Sequence, residues 1–513
     1  MKIAMTGASG NMGREALKQT LELNNVEFVR VLLTDKKKND KLAKSLKKTY
    51  GERIHVVRGT VASADNCNKL VSGVDYVVHM AAVIPPASDA SPAASEECNY
   101  RGTVELVNAI KRCSPQPKYI HVSTMALYGN RNEKHLWGRV GDPLLVSAFD
   151  HYAMHKLKGE RYALEAGLDC WVVLRQTAMI YPEMLKANTG DGLMFHTALN
   201  APLEWVSSRD SGYLIKRIFE RDCKGEVPQF WKNVYNIGAG KKGMDTGYDT
   251  LLDGFGIIGG TPEKFFKPHW FETRNFHGMW FIDGHELNDL FEFQRDGITE
   301  YWKEIGRNNK IYTLGRLVPA KLIYLFVFKK LLYHPNSPYQ WLVSGDVPRT
   351  MASFGKDTTG IPTEWKDTKL ISKGDFGDYD DLRDVTKLTK DDYLNHGYDE
   401  KPIDKWTIDD YRQAAAFRGG SLVSQNVPSP YDKAVWRCAD GHEFEATPFT
   451  VLRAGHWCPE CSQPTPWDFD RLSKSNLFFA QVWYDSHEKD EDFVYGLAED
   501  GSSTMSKLWE EEQ

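Results

Sequence analysis

The stretch "KIAMTGASGNMGREALKQTLEL", residues 2–23, constrains the fold more than any other. It reads as a short apolar strand, a glycine-rich turn and an amphipathic helix. Gly7, Gly10 and Gly13 let the backbone come close to a pyrophosphate, and the helix start offers free N–H groups and a positive dipole end. Thr6, Gly7, Gly10, Asn11, Met12 and Gly13 are therefore the expected phosphate-side contacts of a bound nucleotide. A second strand, "FVRVLL", follows the helix.

The pattern then repeats. "VDYVVHMAA" reads as a buried strand ending in His79, Met80, Ala81 and Ala82, and "NYRGTVELVNAIKR" as a helix. "KYIHVSTMALYGN" is another apolar strand that delivers Ser123 and Thr124 at its carboxyl end. Tyr152 and Lys156 lie four positions apart, on one face of a predicted helix. Strands alternating with helices predict an α/β fold with a doubly wound parallel sheet and ligands outside the carboxyl ends of its strands.

In order and spacing, "TGASGNMG", "HMAA", "NYRGT", "STMALYG", "YAMHK" and "LRQTAMIY" resemble the extended short-chain dehydrogenase/reductases, the NAD-dependent epimerase/dehydratase-like Rossmann family. The likeness covers roughly residues 1–310. It implies a Rossmann sheet with a small substrate lobe. It also implies that Tyr152 is the general acid/base, with Lys156 lowering a phenol pKa that starts near ~10 and holding the nicotinamide ribose. Thr124 takes the place of the hydroxyl that hydrogen-bonds the reacting oxygen, with Ser123 in reserve. Asn99 supports the site, and His79, Ala81 and Ala82 line the cofactor. The implied activity is an NAD(P)-dependent oxidoreductase interconverting a secondary alcohol and a ketone. The alternatives are a nucleotide-sugar epimerase or dehydratase and a non-catalytic NAD(P)-sensing scaffold.

The second strand runs into "TDKKKND". Leu33 stands where an acid commonly binds the ribose 2′-hydroxyl. Thr34 and Asp35 follow, then Lys36, Lys37 and Lys38, which suit a 2′-phosphate or a solvated helix start. Thr60 replaces the aspartate usual beside the adenine. The balance tilts toward NADP(H) over NAD(H).

"MIYPEML" and "NAPLEWVSSRDSG" lack the glycine–proline pair and the basic residue usual in nucleotide-sugar relatives. The aromatic stretch 264–281 reads either as lobe core or as the wall of a wide pocket for a hydrophobic, steroid- or sterol-like substrate. Residues 317–334 mix basic and apolar side chains. Their uninterrupted apolar run, Leu322 to Phe328, falls short of the ~20 residues a membrane span needs. A helix docked on the protein and a helix lying on a membrane surface are both open readings.

Five of the eight cysteines are scattered, which predicts no disulfide framework. Cys438, His442, Cys458 and Cys461 have the spacing of a four-coordinate structural zinc site, similar to small zinc-ribbon modules. Four protein ligands would leave no open position for catalysis, and such a module should fold around its own metal. The 513 residues predict several units: 1–315 as the Rossmann domain with its lobe, 316–425 as a helical or irregular connection, and 426–513 as the zinc module and tail. A net charge of −6 argues against a nucleic-acid partner. With no secretory leader pattern at the start, a cytoplasmic protein is expected, and a homodimer is compatible with it.

Overall fold

The computed structural model describes residues 1–187, 192–274, 278–462 and 468–494. Seven strands form the central sheet: β1 (Lys2–Thr6), β2 (Phe28–Leu33), β3 (Ile54–Arg58), β4 (Tyr76–His79), β5 (Lys118–Thr124), β6 (Trp171–Gln176) and β7 (Asn233–Ile237). Their order is β7-β6-β5-β4-β1-β2-β3, and every pairing is parallel. The strand order reverses between β1 and β4, where open α/β sheets place a ligand crevice.

The sheet is buried on both faces, because side chains alternate along a strand. Ile3 and Met5 point into a core shared with Ala16 and Leu17 of α1 (Asn11–Thr20) and Leu214 and Ile218 of α5 (Ser208–Asp222). Ala4 and Val77 point the other way, toward Val107 and Ile110 of α3 (Gly102–Lys111) and Ala163 of α4 (His151–Glu165). The lysine-rich α2 (Lys37–Tyr50) covers the β2–β3 edge.

A small lobe stands beyond the carboxyl edge. Its strand Pro202–Ser207 lies between Met244–Thr246, antiparallel, and Ala178–Ile180, parallel. Phe195, Phe265, Phe266, Trp270, Phe271 and Phe328 fill the lobe with mostly edge-to-face ring contacts. The described aromatics of 264–281 are buried; residues 275–277 lie outside the described residues.

The chain then crosses the outer surface of the lobe through helical turns between Lys310 and Leu332, and continues through Pro338–Ser344, which packs on the lobe segments Gly192–His196 and Pro268–Trp270, and Val347–Phe354. A hairpin of Ala434–Arg437 and Glu443–Ala446, with Ser421–Leu422 as a third antiparallel strand, builds the C-terminal module. The last two helices among the described residues, Phe469–Ser475 and Leu477–Trp483, pack on Leu145 and Leu394. The C-terminal tail from 495 lies outside the described residues.

Candidate active site and candidate metal centre

The glycine turn closes against the loop after β4. Thr6 Oγ1 lies 2.7 Å from His79 Nδ1 and accepts from the amides of Met80 and Ala81, both at 3.1 Å. Gly7 has φ +72°, and a Cβ there would sit 2.5 Å from the Met80 carbonyl carbon. A Cβ on Gly13 would sit 2.2 Å from the Gly7 carbonyl oxygen. α1 begins after Gly10, which has no side chain to cap it. The first-turn amides of Asn11, Met12 and Gly13 are therefore left for an anion. This cradle fits a dinucleotide pyrophosphate.

Two of the expected contacts serve the cradle from beneath. His79 is 1% exposed, with Nε2 3.0 Å from Thr103 Oγ1 and Nδ1 on Thr6. Its ring braces the loop that carries half-buried Ala81 and exposed Ala82 and presents no surface to the crevice. Asn99 is fully enclosed: Oδ1 accepts from Val83 N at 2.8 Å, and Nδ2 donates to Val83 O at 2.9 Å and Ser95 Oγ at 3.0 Å. It clamps the same loop.

Past β2, Thr34, Asp35, Lys36, Lys37 and Lys38 are exposed. Asn39 Nδ2 holds Thr34 through its carbonyl (3.0 Å) and hydroxyl (2.8 Å). Arg58, at the end of the neighbouring β3, donates to the Thr34 carbonyl at 3.4 Å and pairs with Asp40 at 2.9 Å. It is a cation beside the exposed run 34–38 that sequence reasoning missed.

Asp150 caps α4 by accepting from Ala153 N at 2.8 Å, which fixes the start of the helix and the place of Tyr152 in its first turn. Thr124 and Tyr152 line one cavity together. Burial pushes the Tyr152 phenol up to about 12, against a hydrogen bond with Thr124 that lowers it. The phenol thus rests protonated, in the form that gives a proton. Ser123, next along β5, faces the other side and is buried; only Thr124 reaches the cavity. Lys156 is buried with Nζ on the Val122 carbonyl at 2.7 Å. Burial pulls it down to about 8, with Glu160 partly offsetting that.

The cavity has a volume of about 760 Å³ and runs from Thr124 and Tyr152 into the lobe. Met125, Phe149, Leu203, Trp205 and Trp341 supply apolar wall. Asp89, Asp150, Glu272 and Asp346 supply carboxyl groups, and Arg349 is the one lysine or arginine on the wall among the described residues. Arg349 is held by Asp346 at 2.8 Å and lies over the rings of Phe149 and Trp341. Of the described residues in 264–281, only Glu272 lines this cavity; Phe265, Phe266, Trp270 and Phe271 are lobe core. The roof between Tyr333 and Ser353 carries no sequence signal that ties it to a site.

The four C-terminal ligand candidates converge. Cys438 Sγ to His442 Nδ1 is 3.5 Å, Cys461 Sγ to His442 Nδ1 3.5 Å, Cys458 Sγ to His442 Nδ1 3.7 Å, and Cys438 Sγ to Cys461 Sγ 3.7 Å. A tetrahedral zinc with Zn–S ~2.3 Å and Zn–N ~2.0 Å separates its ligand atoms by about 3.8 Å (S to S) and about 3.5 Å (S to N). The donor set fits.

His456 takes no part in that cluster. Its Nε2 lies 3.0 Å from Glu160 Oε1 on α4, and Glu160 also accepts from Arg175 of β6 at 2.6 and 3.3 Å. Arg175 donates further to the Ala454 carbonyl (2.6 Å) and to Tyr128 OH (2.8 Å), and Leu144 N donates to the Gly455 carbonyl (2.9 Å). Burial pushes the Glu160 carboxyl up, but Arg175 and His456 outweigh it and hold it well below the ordinary carboxylate range. The C-terminal module that carries the Cys/His cluster is therefore joined to the helix that carries Tyr152 and does not stand apart from the Rossmann sheet.

Residues 3–201 match the sequence model of the NAD dependent epimerase/dehydratase family. The chain is 22% identical over 130 residues to D-erythronate dehydrogenase of Haemophilus influenzae, a match that spans 25% of this chain and 39% of that protein. Among solved structures, dTDP-glucose 4,6-dehydratase from Bacillus anthracis, in complex with NAD, is 19% identical, with 61% of this chain and 98% of that chain covered and a TM-score of 0.48. UDP-glucuronic acid 4-epimerase from Bacillus cereus is 20% identical, with 60% and 100% covered and a TM-score of 0.43.

Proposed function

We propose that the protein is an NAD(P)-dependent oxidoreductase of the extended short-chain type that interconverts a secondary alcohol and a ketone. The observation that carries this reading is the placement of Thr124 and Tyr152 on one cavity wall, above a buried Lys156 on the same helix. A bound nicotinamide supplies the hydride donor or acceptor. Tyr152 gives its proton to the ketone oxygen, or takes it from the alcohol, and Thr124 orients that oxygen with a hydrogen bond. The Lys156 ammonium favours the phenolate whenever the proton has left Tyr152. The cradle from Thr6 to Gly13 holds the pyrophosphate, and Lys36 to Lys38 with Arg58 favour NADP(H).

The cavity wall supports an amphipathic substrate with an apolar body and one or more polar ends, of which a hydroxysteroid is one type. A nucleotide sugar fits less well, because its pyrophosphate would meet four carboxyl groups and a single arginine already held by Asp346. Zinc at Cys438, His442, Cys458 and Cys461 has a structural role. The test is a screen of hydroxysteroids, aryl alcohols and nucleotide sugars with NAD(H) and NADP(H), read by nicotinamide absorbance. Turnover of nucleotide sugars alone would reverse the substrate assignment, and turnover of nothing with normal cofactor binding would favour a sensor.

A further inference from the structure

Between Glu304 and Asp346 the chain has no acidic residue and six basic ones: Arg307, Lys310, Arg316, Lys321, Lys329 and Lys330. That is a local excess of positive charge in a chain whose net charge is −6. Among the described residues, none of Lys310, Arg316, Lys321, Lys329 and Lys330 forms an ion pair. The same segment carries the densest run of exposed large apolar side chains. Leu317 is 81% exposed, Phe326 80% and Ile311 73%, and Leu314, Leu322 and Leu325 are also exposed.

The structure explains which side is free. Ile323, Tyr324, Val327, Phe328 and Leu331 face the lobe, where Phe328 packs on Phe266 and Tyr324 stacks on Trp270. Leu322, Leu325 and Phe326 point outward with Lys321, Lys329 and Lys330 beside them. No single helix among the described residues is long and apolar enough to cross a membrane, and the chain bends by 116° between Lys310–Leu317 and Ala320–Leu332. An apolar ridge rimmed by unpaired cations on a folded support suits insertion at headgroup depth, not a span.

We propose that residues 310–333 dock the protein onto a bilayer surface rich in anionic phospholipid. Leu317, Leu322, Leu325 and Phe326 enter the headgroup–acyl boundary, and Lys310, Arg316, Lys321, Lys329 and Lys330 contact lipid phosphates. The apolar outer side chains need an apolar phase, and the cations select an anionic one.

The experiment is flotation of the full chain with phosphatidylglycerol-containing vesicles and with pure phosphatidylcholine vesicles, together with sedimentation of the lipid-free protein. The wild type should float with the anionic vesicles, and raised salt should weaken that. Lys329→Gln/Lys330→Gln should weaken partition by about 25-fold, since each cation near such a surface contributes about fivefold. Leu322→Glu/Phe326→Glu should abolish it with dinucleotide affinity retained, which shows that the variant is folded. Phe326→Ser, a milder change, should weaken partition severalfold. Wild-type protein that does not float, or variants that float as well as wild type, would overturn the proposal. So would a dimer that Leu322→Glu/Phe326→Glu splits while no vesicle binds, because the ridge would then cover a second copy.

Discussion

Lys156 and Glu160 stand on successive turns of α4 and tie it to different parts of the chain. Lys156 is tied to the Val122 carbonyl beneath the cavity, and Glu160 is tied to Arg175 and, through His456, to the C-terminal Cys/His module. The helix that presents Tyr152 is thus fixed both by the sheet and by a loop from the C-terminal module.

Tyr152→Phe keeps the ring and removes the proton. Turnover should fall by ~10²–10⁴-fold, the usual weight of a general acid. Dinucleotide affinity, measured by fluorescence titration, should stay near wild type. A variant that kept more than about a tenth of the rate would lie outside that range and remove Tyr152 from the chemistry.

The ammonium of Lys156 is present below about pH 8 and is lost as pH rises through that value, because burial lowers its pKa. Dinucleotide affinity and rate should therefore decline above about pH 8 in the wild type. Lys156→Met should bind more weakly at neutral pH and show no break near pH 8 in the same titration. A wild-type affinity that stays flat to pH 10 would contradict this.

Lys36→Ala/Lys37→Ala should raise the Michaelis constant for NADP(H) far more than for NAD(H), and Arg58→Ala should add to the difference. Equal effects on both dinucleotides would make these cations solvated surface only.

Glu160→Gln removes the carboxylate that neutralises buried Arg175. Leaving one charge of a buried pair uncompensated costs ~3–5 kcal/mol, and calorimetry should show Tm lowered by roughly 3–5 °C. An unchanged Tm would mean that the pair is dispensable for holding the module to the sheet.

Cys458→Ser should lose zinc by elemental analysis and expose residues from about 425 onward to protease, because metal binding and folding of such a module are coupled. Dinucleotide binding should survive with reduced thermal stability, since Glu160 and Arg175 lose ordered partners. Zinc-free wild-type protein after metal-replete expression would remove the site.

What was legible in the sequence is what has a local period or a fixed spacing. The glycine turn, the Tyr152–Lys156 face and the Cys/His set are each written within a few turns of chain. The stretch 264–281 stayed ambiguous because buried lobe aromatics and pocket-lining aromatics have the same composition, and only burial separates them. The cavity roof at Trp341 and Arg349 and the bridge from Glu160 to His456 were not legible. They join segments far apart in the chain, and no local pattern marks such a meeting. His79 and Asn99 were found as neighbours of the site, but their enclosure depends on Thr103, Val83 and Ser95 closing around them.

The bridge also has a schedule. Ala454 follows Arg175 by 279 residues and His456 follows Glu160 by 296. At roughly 5–20 residues per second of synthesis, α4 waits about 15–60 s for its partner. Once β7 has been made, and until residue 456 follows, the ribosome-bound chain carries a finished sheet with an unsealed charged seam beside the helix of Tyr152. Expression of a fragment that ends before residue 454 makes that interval permanent, and cellular quality control would meet every such molecule in the state that the full-length chain passes through only once.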